Sequence, residues 1–239
     1  SGSSITLSDA FLTANPGVSL TLGTGTISAG AGTTADPTIT EALNYIHTDG
    51  SINATGGTAD DTFSMANGAV FDGTDTLNGG AGTDTINIYN DSGYGSAATS
   101  SVGELGTLSL DVYHTNIEKV VAVDVATNQD GGDVTINIAA AWTGTALTID
   151  ASSLDQNPLS SAAEILTLAQ ATTDTAAITL TSGEGGDIIT SGAGNDSLTT
   201  GGGIDTIASS GGADSIYVGA GNDIIDAGAG RDYVDGGAG

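Results

Sequence analysis

Residues 182–235 read "SGEGGDIIT SGAGNDSLT TGGGIDTIA SSGGADSIY VGAGNDIID AGAGRDYVD", six nonapeptides in one register without an insertion. Asp187, Asp196, Asp205, Asp214, Asp223 and Asp232 each close a glycine-rich turn, and two residues after each stands Ile189, Leu198, Ile207, Ile216, Ile225 or Val234. Such a coincidence of Gly, Asp and aliphatic residue, held six times, marks a repeat architecture, and the repeat decides the fold.

Two nonapeptides, each a turn and a short strand, make a coil that returns to the same side. Coils of a parallel solenoid stack about 4.8 Å apart, so carboxylates one coil apart stand above one another. Bare, they repel by roughly 1 kcal/mol in water and about 3 kcal/mol at an effective dielectric near 20. A calcium ion takes oxygens at about 2.3–2.6 Å, half the coil spacing, and fits between two such turns. The turn glycines, Gly183, Gly185, Gly192, Gly194, Gly201, Gly203, Gly219, Gly221, Gly228 and Gly230, allow backbone carbonyls to face inward and complete an all-oxygen shell. The pairing predicts four ions: Asp187 with Asp205, Asp205 with Asp223, Asp196 with Asp214, and Asp214 with Asp232. The aliphatic residues fill the interior, so ion binding and folding become one event. Ordinary solvated turns would explain the aspartates one at a time, but not their shared register.

An earlier copy stands at residues 79–87, "GGAGTDTIN", with Gly80, Gly82, Asp84 and Ile86 in the matching places. Asp75 and Leu77 keep the metre, and "GGTADDTFS" at 56–64 supplies Asp61 and Phe63 after a slip in the spacing. The slip places Asp61 beneath Asp84 for a fifth ion, expected to be weaker because no neighbour continues the stack. Asp60 and Asp72 are candidate helpers there, whereas Asp226 and Asp235 read as surface residues.

The pattern Gly-Gly-x-Gly-x-Asp-x-aliphatic-x resembles the signature of RTX (repeats-in-toxin) proteins, and "GGAGTDTIN" meets it at each fixed position. This resemblance implies a calcium-filled parallel β-roll, type I secretion, and folding on reaching calcium outside the cell. The tandem repeats depart from it by opening with Ser182, Ser191, Thr200, Ser209, Val218 and Ala227, and "SSGGAD" also lacks the second glycine, which makes the Asp214 sites the weakest. The order of the flanking segments, "GTADDTF", "DTLNGGAGTDTINI", "NIEKVVA" and then Thr- and Ala-rich strands, is similar to RTX-type bacterial surface-layer (S-layer) proteins.

The rest of the composition agrees. There are 29 acidic residues against two basic ones, Lys119 and Arg231, for a net charge of -27, which excludes nucleic acid and anionic membrane surfaces as partners. The acids are 24 Asp and 5 Glu, a bias toward the carboxylate that fits tight turns. No Cys is present, so neither disulfides nor thiolate metal sites hold the fold together. No apolar run has the length of a membrane-spanning helix, and no membrane insertion is expected. Ser1 in place of an initiator Met suggests a piece of something longer. His47 and His114 are too few and too far apart for a His-based zinc site, and no Gly-x-Ser-x-Gly elbow supports a hydrolase.

The expected fold is all-β, a right-handed parallel β-helix or β-roll solenoid with a small irregular or helical N-terminal segment. Four regions follow: 1–55, a lead-in segment with a short helix; 56–103, the first RTX-like block; 104–181, wider solenoid coils; and 182–239, the tandem roll. In the first, "TITEALNYIHTDG" reads as a helix stopped by Gly50 and "SDAFLTANPG" as a helical turn. In the third, "TLSLDVY", "EKVVAVDV", "DVTINIA", "ALTID", "ILTL" and "AITL" read as strands from their alternation and β-branched content. Trp142 and the tyrosines are expected to pack on strand surfaces or between subunits.

The expected function is structural, with no catalysis: a calcium-dependent segment of a secreted S-layer protein at the bacterial cell surface, assembling with other copies. Cell-surface polysaccharide, engaged through regions outside the chain, is a further expected partner. The alternatives are a module of a large RTX adhesin and the calcium-folded carrier of an RTX hydrolase or toxin.

Overall fold

The computed structural model describes the strands Ser3–Leu7, Ser19–Leu22, Gly25–Ala29 and Asn44–His47, and residues 52–65, 76–89, 106–123, 133–154 and 164–239. Every described secondary-structure element is a β-strand, and every strand pair is parallel. Parallel neighbours cannot be joined by a hairpin, so the chain must travel across and return between them, and a solenoid is the repeating form of that path.

One side of the solenoid is a ten-stranded sheet running from Ser19–Leu22 through Asn44–His47, Thr62–Met65, Thr85–Tyr89, Lys119–Val123, Ala146–Asp150, Ala177–Thr181, Ser197–Thr199 and Ser215–Tyr217 to Tyr233–Asp235. The opposite side is divided. A leading sheet holds Ser3–Leu7, Gly25–Ala29, Ile52–Thr55, Thr76–Asn78 and His114–Thr115. A trailing sheet holds Gly106–Leu110, Val134–Ile138, Leu166–Gln170, Ile188–Thr190, Thr206–Ala208 and Ile224–Asp226. The long sheet thus spans the break and carries both repeat blocks on one ladder.

Coil length varies along this ladder. In the tandem block Ser215 lies on Ser197 and Tyr233 on Ser215, so each coil is a pair of nonapeptides. In the middle Thr148 lies on Lys119 and Leu166 on Val134, coils more than half as long again. Each of the six stretches read as strands between residues 104 and 181 holds a strand.

Alternation along each strand fills the interior. Ile136 and Leu168 on one side and Val120, Leu147, Ile149, Ile178 and Leu180 on the other are buried in a continuous core with Phe63, Ile86 and Trp142. In the tandem block Ile189, Leu198, Ile207 and Ile216 are buried, Ile225 is partly so, and Val234 is 44% exposed. Val234, on the last strand of the long sheet among the described residues, thus departs from the expected interior row.

The expected helix over "TITEALNYIHTDG" is also corrected at its centre. Asn44–His47 is a strand, paired with Ser19–Leu22 on one side and Thr62–Met65 on the other. A helix of this length is marginal by itself, whereas a strand between two others satisfies its backbone on both edges. The "SDAFLTANPG" turn lies outside the described residues.

Candidate metal centre

The registers align the acids in columns. On the long sheet, the column runs through Asp61, Asp84, Glu118, Leu147, Ile178, Asp196, Asp214 and Asp232, the acids standing just before their strands and Leu147 and Ile178 just inside theirs. On the trailing sheet it runs through Val134, Leu166, Asp187, Asp205 and Asp223, the first two being inside the strand ends. All the expected pairs are therefore brought together: Asp187 with Asp205, Asp205 with Asp223, Asp196 with Asp214, Asp214 with Asp232, and Asp61 with Asp84.

One hydrogen bond repeats up these columns. Each carboxylate oxygen Oδ1 accepts the backbone N–H of the residue one coil below. Asp187 donates to Asp205 at 2.8 Å, Asp205 to Asp223 at 2.9 Å, Asp196 to Asp214 at 2.9 Å and Asp214 to Asp232 at 3.1 Å. Asp61 donates to Asp84 at 2.8 Å across the slipped register. At the base of the tandem block Leu166 and Ile178 donate in the same way to Asp187 and Asp196, each at 2.8 Å.

The second oxygen of these carboxylates is different. Oδ2 of Asp84, Asp196, Asp205, Asp214 and Asp223 is buried with no hydrogen-bond partner. A buried, half-satisfied carboxylate carries a large desolvation cost, and a native fold normally supplies a partner. The two basic side chains do not: Lys119 is 3.9 Å from Asp150, and Arg231 is exposed. Burial pushes the Asp84 and Asp196 carboxyls up to about 6, with the charges of Asp61 and Asp214 respectively adding to it. Asp205 is raised for the same first reason, and the charge of Asp223 contributes.

The turns supply carbonyl oxygens beside these carboxylates. Gly203 has φ of +118°, and a Cβ there would lie 2.5 Å from the Gly185 carbonyl oxygen one coil below. Gly185, Gly192, Gly194, Gly201, Gly219, Gly221, Gly228 and Gly230 likewise sit against a carbonyl one coil below, of Glu164, Asp174, Ala176, Gly183, Gly201, Gly203, Ser210 and Gly212 respectively. Gly183 sits against the Leu154 carbonyl, and Gly80 and Gly82 against those of Gly57 and Ala59. Among the described residues no three His, Cys, Asp or Glu side chains converge on one point. The donor set is thus paired carboxylates with backbone carbonyls, all oxygen, which suits a hard divalent cation such as calcium.

Four features lie outside the expected ligand set. Gly212, φ +135°, holds the place of Gly203 and Gly221 in the "SSGGAD" turn and was available from the alignment. Ser210 takes φ of +60° where Gly228, one coil on, has +72°, and its hydroxyl donates to the Ser191 carbonyl at 2.8 Å. The turn before Asp214 is therefore kept without its glycine, and Asp214 is as buried as its neighbours. Glu118 continues the first stack, which was expected to end at Asp84: its Oε2 accepts the Asp84 N–H at 2.8 Å. It stands 34 residues away, and no spacing announces it. Asp174, the fourth, is buried beneath the Gly192 turn.

The remaining candidates fall outside the columns. Asp60 accepts the Thr83 N–H at 2.7 Å from an exposed position, as Asn195 does for Ala213, so it ties one turn to the next. Asp226 and Asp235 are exposed and accept from Gly228 and Gly237 two residues on. Asp72 and Asp75 lie outside the described residues. His114 is buried with its Nδ1 3.0 Å from Asp111, away from the columns. No described helix is long and apolar enough to cross a membrane.

Parallel sheets closed by acid-lined, glycine-bearing turns define a parallel β-roll. Residues 71–87, 179–207 and 209–239 match the RTX calcium-binding nonapeptide repeat, in four copies. These segments thus carry RTX calcium-binding repeats, and the turn holding Asp61 lies outside them. No match was found among curated proteins or among solved structures.

Proposed function

We propose that this chain is a calcium-dependent structural segment of a secreted bacterial surface-layer protein, in which calcium drives both folding of the roll and assembly of the lattice. The observation that carries the calcium part is the set of buried carboxylates, Asp84, Asp196, Asp205, Asp214 and Asp223, whose second oxygens lack partners in a chain of net charge -27. Asp187, Asp205 and Asp223 form one ligand column, Asp196, Asp214 and Asp232 the other, and Asp61 with Asp84 an earlier site. Each ion neutralises a pair of carboxylates and draws in turn carbonyls, so its binding free energy enters folding. The roll has no catalytic part in this reading.

Two features support assembly. The order of segments resembles RTX-type S-layer proteins, and the outer faces of the roll carry Ile188, Ile204, Ile224, Tyr217 and Tyr233, all exposed. Exposed apolar residues set in an acidic surface suit contact between copies once calcium has lowered the charge. Circular dichroism during a calcium titration tests the folding claim, and equal strand signal in chelator and in millimolar calcium would sink it. Electron microscopy of the calcium-treated protein tests the lattice: ordered two-dimensional arrays support the surface-layer role. Persistent monomers overturn it and leave an adhesin module or a carrier region.

A further inference from the structure

The long-sheet column of tandem aspartates ends below at Asp196, because the next coil places Ile178 in the corresponding position. The coil from Thr179 to Ser197 already has the length of two nonapeptides, yet the turn that leads into it, residues 173–178, carries neither the glycines nor the aspartate of the repeat. Its carboxylate comes from another place in the turn. Asp174 lies one coil beneath Gly192, four residues before Ile178, and outside the segments that match the calcium-binding repeat.

Asp174 is 8% exposed. Its Oδ1 accepts the Ala176 N–H at 3.0 Å, while its Oδ2 is buried with no hydrogen-bond partner. Asp196 above it repeats this division: Oδ1 accepts the Ile178 N–H at 2.8 Å and Oδ2 is buried without a partner. The surrounding backbone is held in place. The Asp174 carbonyl accepts the Ala193 N–H at 2.5 Å, and Gln170, 3% exposed, bridges the two turns by donating to the Ala176 carbonyl at 3.1 Å and accepting the Gly192 N–H at 2.8 Å.

We propose that Asp174 and Asp196 hold a further calcium ion at the floor of the tandem roll, in a turn that no repeat motif marks. The proposal rests on the reading that the tandem turns hold calcium. Two buried carboxylates with unpartnered oxygens need a neutralising charge at neutral pH, and both basic side chains are elsewhere. The available donors are oxygens, the chemistry of a hard divalent cation. Bound there, the ion clamps the wide solenoid to the first tandem turn, so the roll grows from a coil that is already ordered.

The test counts bound calcium by equilibrium dialysis with radioactive calcium on the full chain, comparing wild type, D174N and D214N. The expected result is loss of a single ion from D174N and a higher calcium midpoint for folding by circular dichroism, with loss of at least one ion from D214N as well. If D174N binds as many ions as wild type while D214N loses some, the floor site is overturned and the tandem sites stand. If wild type binds none, both readings fall. Should D174N not regain the wild-type spectrum in saturating calcium, D174S is counted instead, because its hydroxyl can still accept the Ala176 N–H.

Discussion

Replacing Asp205 with Asn separates a metal-holding carboxylate from a merely hydrogen-bonding one. Asp205 stands between Asp187 and Asp223, so it faces two candidate ions. Asn has nearly the same shape and keeps an oxygen to accept the Asp187 N–H, now 2.8 Å from Oδ1. What it removes is the charge and the second oxygen, whose Asp form is buried without a partner. With calcium at one hundred times a site's dissociation constant, each ion contributes about 2.7 kcal/mol to folding, so two weakened sites put about 5 kcal/mol at stake. Without calcium the sign is opposite. Asp205 then repels a carboxylate above and one below, by about 3 kcal/mol each at an effective dielectric near 20, and Asn relieves both. D205N should therefore need more calcium to fold than wild type, yet be no less structured in chelator. Circular dichroism along a calcium titration, started in chelator, reads both limbs. An unchanged calcium midpoint, or a loss in chelator as large as that in calcium, would refute the metal role and leave Asp205 a structural acceptor.

Gly203→Ala should cost roughly 1–3 kcal/mol in saturating calcium, because φ of +118° is strained for a side chain and the Gly185 carbonyl oxygen lies 2.5 Å from the new Cβ; urea denaturation with an unchanged midpoint would count against this packing. Ile136→Ala, in the wide coils away from the aspartate columns, should lose about 2–5 kcal/mol by cavity formation without altering the number of ions bound, as denaturation and calcium counting would show. The calcium-free chain should gain structure as pH falls from about 7.5 toward 5. The folded carboxyls of Asp84 and Asp196 titrate near 6 against an ordinary 3.8, so the stability they contribute is fully present below 3.8 and is lost as pH rises through about 6. With calcium present the trend reverses, because protons compete for the same oxygens; a calcium-free spectrum that is flat with pH would contradict the burial of these groups.

The tandem roll was legible because its period turns a long-range contact into a spacing. Once nine residues make half a coil, Asp187 must meet Asp205, and the inward row from Ile189 to Ile216 follows from alternation. The middle was legible as strands but not as registers. Leu147 and Ile178 occupy the column that Glu118 and Asp196 occupy on either side of them, so hydrocarbon replaces carboxylate within the wide coils. Which strand lands on which depends there on how much chain each loop puts outside the stack, and loop length carries no fixed period.

The sequence by itself determined the chemistry of the repeat: paired aspartates, carbonyl-exposing glycines, an aliphatic interior, and no cation of its own sufficient to balance 29 acids. These are local properties, each contained within two nonapeptides. Tertiary structure decided what depends on distant residues sharing an edge. It made a strand of Asn44–His47 by pairing both its sides, and it set Glu118 on Asp84 across 34 residues. It also placed Asp174 beneath the Gly192 turn, where the coil is of repeat length but its carboxylate is out of repeat position. Backbone pairing brings such residues together without regard to their side chains. Their meeting therefore becomes visible only when the coils are stacked.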